Sequence, residues 1–341
     1  AFSANKGPDV VYLITDHLAQ FASTGVLEPL DSYIPEDLRN DYLESALDAT
    51  TVEGSIYGMP MLMTVNAAVF NVTLLEEIGW DTSKLPNTWD ELEEMFELAK
   101  QNGKYGLLYQ GGENGNLSFY PFLWQAGGDV LDESGNVIFD SPETRRALTK
   151  LNEWYQKGYM PSDSLTLVGS TQVNMLWESG DVCLSLHDGG TVANYINGTT
   201  PLNFDIQVTK PLTDKETVGY GTVGAWSVAT TSGNKEAAAN YIMTMLEEDN
   251  LKTFLTLAGY MPPVKSLANM YDDSPNMKAM SDSIAYLKPG IVHPAGRTIT
   301  TTIIPPMVQA VMSGEDIDTQ IQEAVQSMEA AVTDSLALKT E

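Results

Sequence analysis

Side chains with hydrogen-bonding or stacking chemistry collect at a few places in this sequence: Asp16 and His17, Thr64 and Asn66, Gln110 and Asn116, Phe119 and Tyr120, then Asp188, Trp226 and Arg297. That mixture suits a sugar. Carboxylates, amides and a guanidinium hydrogen-bond hydroxyl groups, while aromatic faces cover the apolar C–H face of a pyranose. Taken one at a time, each aromatic reads first as core, and Asp16 reads equally well as a helix N-cap.

Covalent chemistry finds less support. His17, His187 and His293 are far apart in sequence, with no H-E-x-x-H pattern, so no metal or other cofactor is expected. His187-Asp188 reads as a satisfied loop pair. There is no Gly-x-Ser-x-Gly elbow and no Walker loop. Gly219-Tyr-Gly-Thr-Val-Gly224 fits the G-x-G-x-x-G expression, but that fingerprint must follow a strand and open a helix, and residues 225–229 continue as β-like sequence. Acidic residues are plentiful, yet none is singled out as the pair that a glycosidase holds across one bond. No catalytic residue is therefore assigned.

The charge balance narrows the partners. The chain has 341 residues with 18 Lys+Arg against 46 Asp+Glu, a formal net charge of −28. Such a surface repels phosphate backbones and anionic lipid, which argues against nucleic acid and direct membrane binding. No stretch approaches the roughly 18 apolar residues of a membrane span. The single cysteine, Cys183, excludes an intrachain disulfide and a cysteine zinc cluster, and its apolar flanks predict a buried thiol.

The candidate residues need elements to hold them, and the length calls for two domains. A strand at 8–14 ends in Thr15-Asp16 and leads to a helix at 17–24. The run 61–70 is almost wholly apolar but carries Thr64 and Asn66 at its centre, where buried polar groups need partners. We read it as a strand passing between lobes, with those two side chains facing a cleft. Thr88-x-x-Glu91 forms a capping box before a helix whose Trp89 is a core anchor. A strand at 105–109 is followed by a glycine-rich polar loop at 110–116, a helix at 119–126 and a hairpin at 130–139. A helix at 170–179 precedes the strand 182–186, with His187-Asp-Gly-Gly190 at its end. Most candidates thus sit at the carboxyl ends of strands, where open α/β sheets gather ligands.

In the order of these segments the chain resembles the family-1 extracellular solute-binding proteins of ABC importers, the group that includes maltose-binding protein. The resemblance is carried by Pro8-Asp-Val-Val, Gly25-Val-Leu-Glu-Pro-Leu30, Tyr57-Gly-Met-Pro60, Phe70-Asn71, Pro86-Asn-Thr-Trp89, Gly127-Gly-Asp129, Gly180-Asp-Val, Ser232-Gly-Asn-Lys-Glu-Ala237 and Gly314. It implies an α/β, two-lobe, type II periplasmic-binding-protein-like fold with a central cleft. Lobe 1 would comprise 1–63 and 222–275, lobe 2 would comprise 67–218 and 277–341, and crossings would fall near 64–66, 219–221 and 271–277. It also implies that roughly one to two βα units of lobe 1 precede this segment in relatives.

By the same resemblance the protein is a monomeric, non-enzymatic receptor, extracellular, cell-surface-tethered or periplasmic. It captures a carbohydrate and delivers it to ABC-transporter permease subunits. Asp16 falls where the maltose binder has a sugar-binding Asp. His17 replaces an Arg, Thr64 a Glu, and Leu13 and Gly190 two stacking Trp residues, so the ligand class transfers better than maltose itself. Phe119, Tyr120 or Trp226 would then supply the stacking. The competing expectations are a secreted glycan hydrolase and a binder of a non-sugar solute such as a polyamine.

Overall fold

The computed structural model describes residues 7–112 and 115–337, with the side chains of Asp16, Asn116, Ser170, Leu336 and Ala337 outside the described set. Strands follow along the chain as β1 (Val10–Ile14), β2 (Thr51–Val52), β3 (Ser55–Ile56), β4 (Met59–Met63), β5 (Asn66–Asn71), β6 (Tyr105–Leu108), β7 (Val182–Asp188), β8 (Ile206–Thr209), β9 (Gly219–Tyr220), β10 (Val223–Val228) and β11 (Leu287–Lys288). They form two principal sheets. The first has the order β1-β10-β4, all antiparallel, and the second runs β11-β9-β5-β7-β6 with β8 also paired to β5.

The apolar run of 61–70 is therefore two strands rather than one. β4 belongs to the first sheet, β5 to the second, and Thr64-Val65 carries the chain between them. The return passage runs alongside: β9 lies in the second sheet, β10 in the first, and Gly221-Thr222 connects them. All five residues of β4 and all six of β5 are buried. Their largely apolar character, bounded in β5 by Asn66 and Asn71, follows from burial on both faces.

Two large cores support the sheets. One gathers Phe70, Trp89, Phe96, Phe122 and Trp154, with Trp89 and Trp154 edge to face at 5.8 Å and 71°. The other joins β4 and β5 to Trp177, Val192, Leu255 and Met280. The capping box forms as the sequence predicts: Thr88 Oγ1 accepts from Glu91 N and the Glu91 carboxylate accepts from Thr88 N. Trp89 is 1 % exposed and donates through Nε1 to Gln125 Oε1 at 2.8 Å. Cys183 is buried, and burial pushes its thiol up to about 12.

Two expected elements change. The glycine-rich loop is shorter than read, because the helix beginning at Gly115 runs to Gln125 and takes in Asn116. The hairpin at 130–139 reduces to a single bridge between Leu131 and Val137. There the Asp132 carboxylate accepts from the backbone of Ser134 and Asn136, and such local turns compete with a β ladder.

Candidate functional site

The two connections between sheets are tied directly together. Thr64 N donates to Thr222 O at 2.8 Å, and Thr222 N donates back to Thr64 Oγ1 at 2.9 Å. Thr15, at the end of β1, extends the knot: Thr222 Oγ1 donates to Thr15 Oγ1 at 3.2 Å, and Thr15 Oγ1 accepts from Val223 N at 3.3 Å. The polar groups in the apolar run thus have protein partners. Thr64 is bound into the crossing.

Beside this crossing, at the carboxyl ends of the parallel strands β6 and β7, lies a partly enclosed cavity of about 70 Å³. Asn66, Gln110 and Asp188 line it, joined by Asn174 and His187. Asn66 begins β5 and pairs with Asp188 across the sheet. Its Nδ2 donates to Leu117 O at 3.2 Å, which leaves the amide oxygen for a guest. Asp188 also caps the helix Gly189–Ile196, accepting from Thr191 N at 3.0 Å and Thr191 Oγ1 at 2.8 Å. Gln110 rides on a loop held from behind by Gln309, whose Nε2 donates to Gly111 O at 2.9 Å and Leu165 O at 3.0 Å.

His187 departs from the sequence reading of a satisfied loop pair. It is the sixth residue of β7, 3 % exposed, and its Nε2 has no hydrogen-bond partner. Burial pushes its pKa down to about 4, with the Asp188 charge offsetting part of that shift. The ring is therefore neutral at ordinary pH. Trp177 and Tyr195 meet it edge-on at 5.2 and 5.7 Å.

The remaining candidates disperse. His17 and Arg297 come together from helices Thr15–Ser23 and Gly296–Thr298, the guanidinium donating to His17 Nε2. A guanidinium has only donors, so the imidazole nitrogen accepts. Phe119 and Tyr120 require correction as stacking residues. Both are 0 % exposed in the core, Phe119 against Phe139 at 6.1 Å and Tyr120 hydrogen-bonded to Thr300 Oγ1 at 3.0 Å. Their helix is apolar around most of its girth, so its aromatic rings are consumed by packing. Trp226 stacks on Tyr241 at 5.3 Å and 24° rather than lining the cavity. The side chains of Asp16 and Asn116 lie outside the described residues, though both positions fall on helices beside the site.

The chain packs tightly at the cavity's margin. A side chain at Gly189, where the Asp188-capped helix begins, would meet Gly259 O at 2.2 Å. Sequence reasoning missed His187 and Asn174 as cavity residues. The alternation Cys183, Ser185, His187 along one face of β7 is the signal that points to the first. Nothing comparable marks Asn174.

Two sheets joined by paired crossings, with a polar cavity at strand ends beside them, define a two-lobe α/β binding protein. The chain belongs to the bacterial extracellular solute-binding protein family, whose profile matches residues 1–280. Among curated relatives, a maltotriose-binding protein of Pyrococcus abyssi is 28 % identical over 79 % of this chain and 57 % of its own length. A galactooligosaccharide-binding protein of Bacillus subtilis is 21 % identical over 78 % of this chain and 62 % of its own. The alignments thus span under two thirds of each relative. Maltose-bound MalE3 of T. maritima superposes with a TM-score of 0.84 at 24 % identity, covering 96 % of this chain and 86 % of that one. A solute-binding protein of Thermotoga lettingae bound to α-D-tagatose gives 0.85 at 20 % identity, covering 97 % and 87 %. This chain shares its fold with both solved structures. The family and these neighbours are binding proteins, and no described helix is long and apolar enough to cross a membrane.

Proposed function

We propose that this protein captures a carbohydrate between its lobes and presents it, unaltered, to the permease subunits of an ABC importer outside the cytoplasmic membrane. One observation carries the reading. Uncharged or capped polar groups, Asn66, Gln110, Asn174, His187 and Asp188, converge on a cavity beside the two short links between the sheets, at Thr64–Val65 and Gly221–Thr222. Amides and a neutral imidazole both donate and accept, which matches hydroxyl groups. The names of the maltotriose and galactooligosaccharide relatives support the same ligand class.

In this reading lobe 1 is 1–63 with 222–275 and lobe 2 is 67–218 with 277–341. The third crossing, at 271–277, contains Asn276, whose amide accepts from Val208 N and donates to Ile206 O of β8. Closure about these crossings shields the sugar from water. Asp16, His17 and Arg297 act at the mouth, and the protein works as a monomer, tethered or periplasmic. A thermal-shift screen against a carbohydrate library tests this, because a ligand of the folded form raises its apparent stability. Binding with every sugar recovered intact supports a receptor. Hydrolysis products would turn the reading to a glycan-active enzyme.

A further inference from the structure

Tyr12 stands at the middle of β1 with 49 % of its surface exposed. Its ring does not project straight out from the sheet. A side chain at Gly224, diagonally across on β10, would meet Tyr12 Cε2 and Cζ at 2.8 Å. The phenol therefore leans over Gly224, two residues beyond the Gly221–Thr222 link. A glycine inside a strand marks such a close approach. Covering that backbone explains one side of the ring and leaves the exposed side to be accounted for.

A second tyrosine reaches the same end of the sheet. Tyr260 precedes Met261, whose backbone exchanges hydrogen bonds with Met63, the residue before Thr64. Its carbonyl accepts from Tyr271 Oη at 2.8 Å and its ring packs against Phe254 at 6.4 Å, which fix its position. The residues just before it, Ala258 and Gly259, abut Gly189 and Gly190 at the start of the helix that Asp188 caps. The side chains sense one another as well. Burial and then Tyr260 push the Tyr12 phenol up to about 12, and burial and then the Asp188 charge raise that of Tyr260. Tyr12, Tyr260 and Asp188 thus form one neighbourhood, and Asp188 lines the cavity.

We propose that Tyr12 is the stacking residue of the sugar site: its exposed ring takes the C–H face of a pyranose, with Tyr260 beside it and Asn66 and Asp188 meeting the hydroxyls. A pyranose is apolar on its C–H face and polar at its edge, and a tyrosine offers a broad apolar face at little entropic cost. The assignment rests on the sugar-binding reading and deepens it. It gives the site the aromatic surface that Phe119 and Tyr120, buried in the core, and Trp226, stacked on Tyr241, do not supply.

The test is calorimetry on the intact chain with maltotriose, cellotriose, β-1,4-galactotriose and D-glucose. For the sugars that wild type binds, Tyr12→Leu is expected to weaken affinity about tenfold and Tyr12→Phe to stay within about threefold of wild type, because the ring and not the hydroxyl makes the contact. Thermal melting of the free variants should match wild type, as the position is half exposed. Should Tyr12→Leu fail to fold, Tyr260→Leu is read in its place, with Tyr260→Phe as its conservative partner and the same expectation. Wild-type affinity in the leucine variant overturns the assignment and leaves sugar binding standing. Equal losses in the leucine and phenylalanine variants overturn it too, since the hydroxyl would then be the contact. If wild type binds none of these sugars, the carbohydrate reading itself fails and the stacking assignment falls with it.

Discussion

Thr64 and Thr222 exchange hydrogen bonds between the two connections that join the sheets: each backbone N–H finds an oxygen of the other residue, at 2.8 and 2.9 Å. One of those oxygens is the Thr64 hydroxyl. The link ties the crossings to each other.

Thr64→Val keeps the shape but removes the acceptor for Thr222 N, and Thr222 is only 7 % exposed. A buried donor left unmade costs about 1–3 kcal/mol. Urea denaturation should show that loss, with Thr64→Ser close to wild type. Equal stability of the valine and serine variants would show that the hydroxyl contributes nothing to the crossing.

His187 gives a pH signature. Its folded pKa of about 4 lies below the ordinary value of 6.5, so between those two values the unfolded chain binds more protons. Stability from this group is present in full above about pH 6.5 and is lost as pH falls toward 4. The shift corresponds to at most about 3 kcal/mol. Subtracting the melting curves of His187→Asn from those of wild type across that window isolates it from the carboxylates. A difference that does not vary with pH would mean the imidazole is not buried as found.

Gln309 holds the loop that carries Gln110. Gln309→Leu leaves the carbonyls of Gly111 and Leu165 without that donor, and about 1–3 kcal/mol of stability should go with it. Amide exchange should quicken locally at Gly111 and Gly112, whose N–H groups bond Ser164 O and Leu167 O. Protection unchanged at both glycines would show that the loop holds itself.

The contact between His17 and Arg297 joins half-exposed and exposed positions, which the proposed bounds place on opposite lobes. Arg297→Ala should move global stability by less than about 1 kcal/mol, as exposed polar pairs do. Small-angle scattering without ligand should nevertheless report a larger radius of gyration, since one tie between the lobes is gone. An unchanged radius would assign the pair no part in holding the lobes together.

Much of this architecture is legible in the residues because local signals agree with the final packing. The capping box at Thr88 and Glu91, the core role of Trp89 and the buried Cys183 all follow from patterns a few residues long. The polar pair inside the apolar run marks the passage between sheets, since Thr64 and Asn66 find partners in Thr222 and Leu117. Ring assignments fared worse. Phe119 and Tyr120 stand near the glycine-rich loop in sequence, but a helical turn rotates both into the core, and periodicity over so apolar a helix cannot say which face is outward. His187 was hidden for a different reason. Its imidazole is enclosed by Trp177 and Tyr195 from the helices on either side of β7, and no local pattern marks that enclosure.

The isolation of Cys183 has a practical side. As the chain's single thiol, buried and with its pKa raised to about 12, it resists alkylating dyes under conditions that label exposed cysteines. Cysteines introduced at one exposed position on each lobe would therefore carry a fluorophore pair on an otherwise silent background. The native protein is in this sense already prepared as an optical sensor of its own closure, with no residue needing to be removed first.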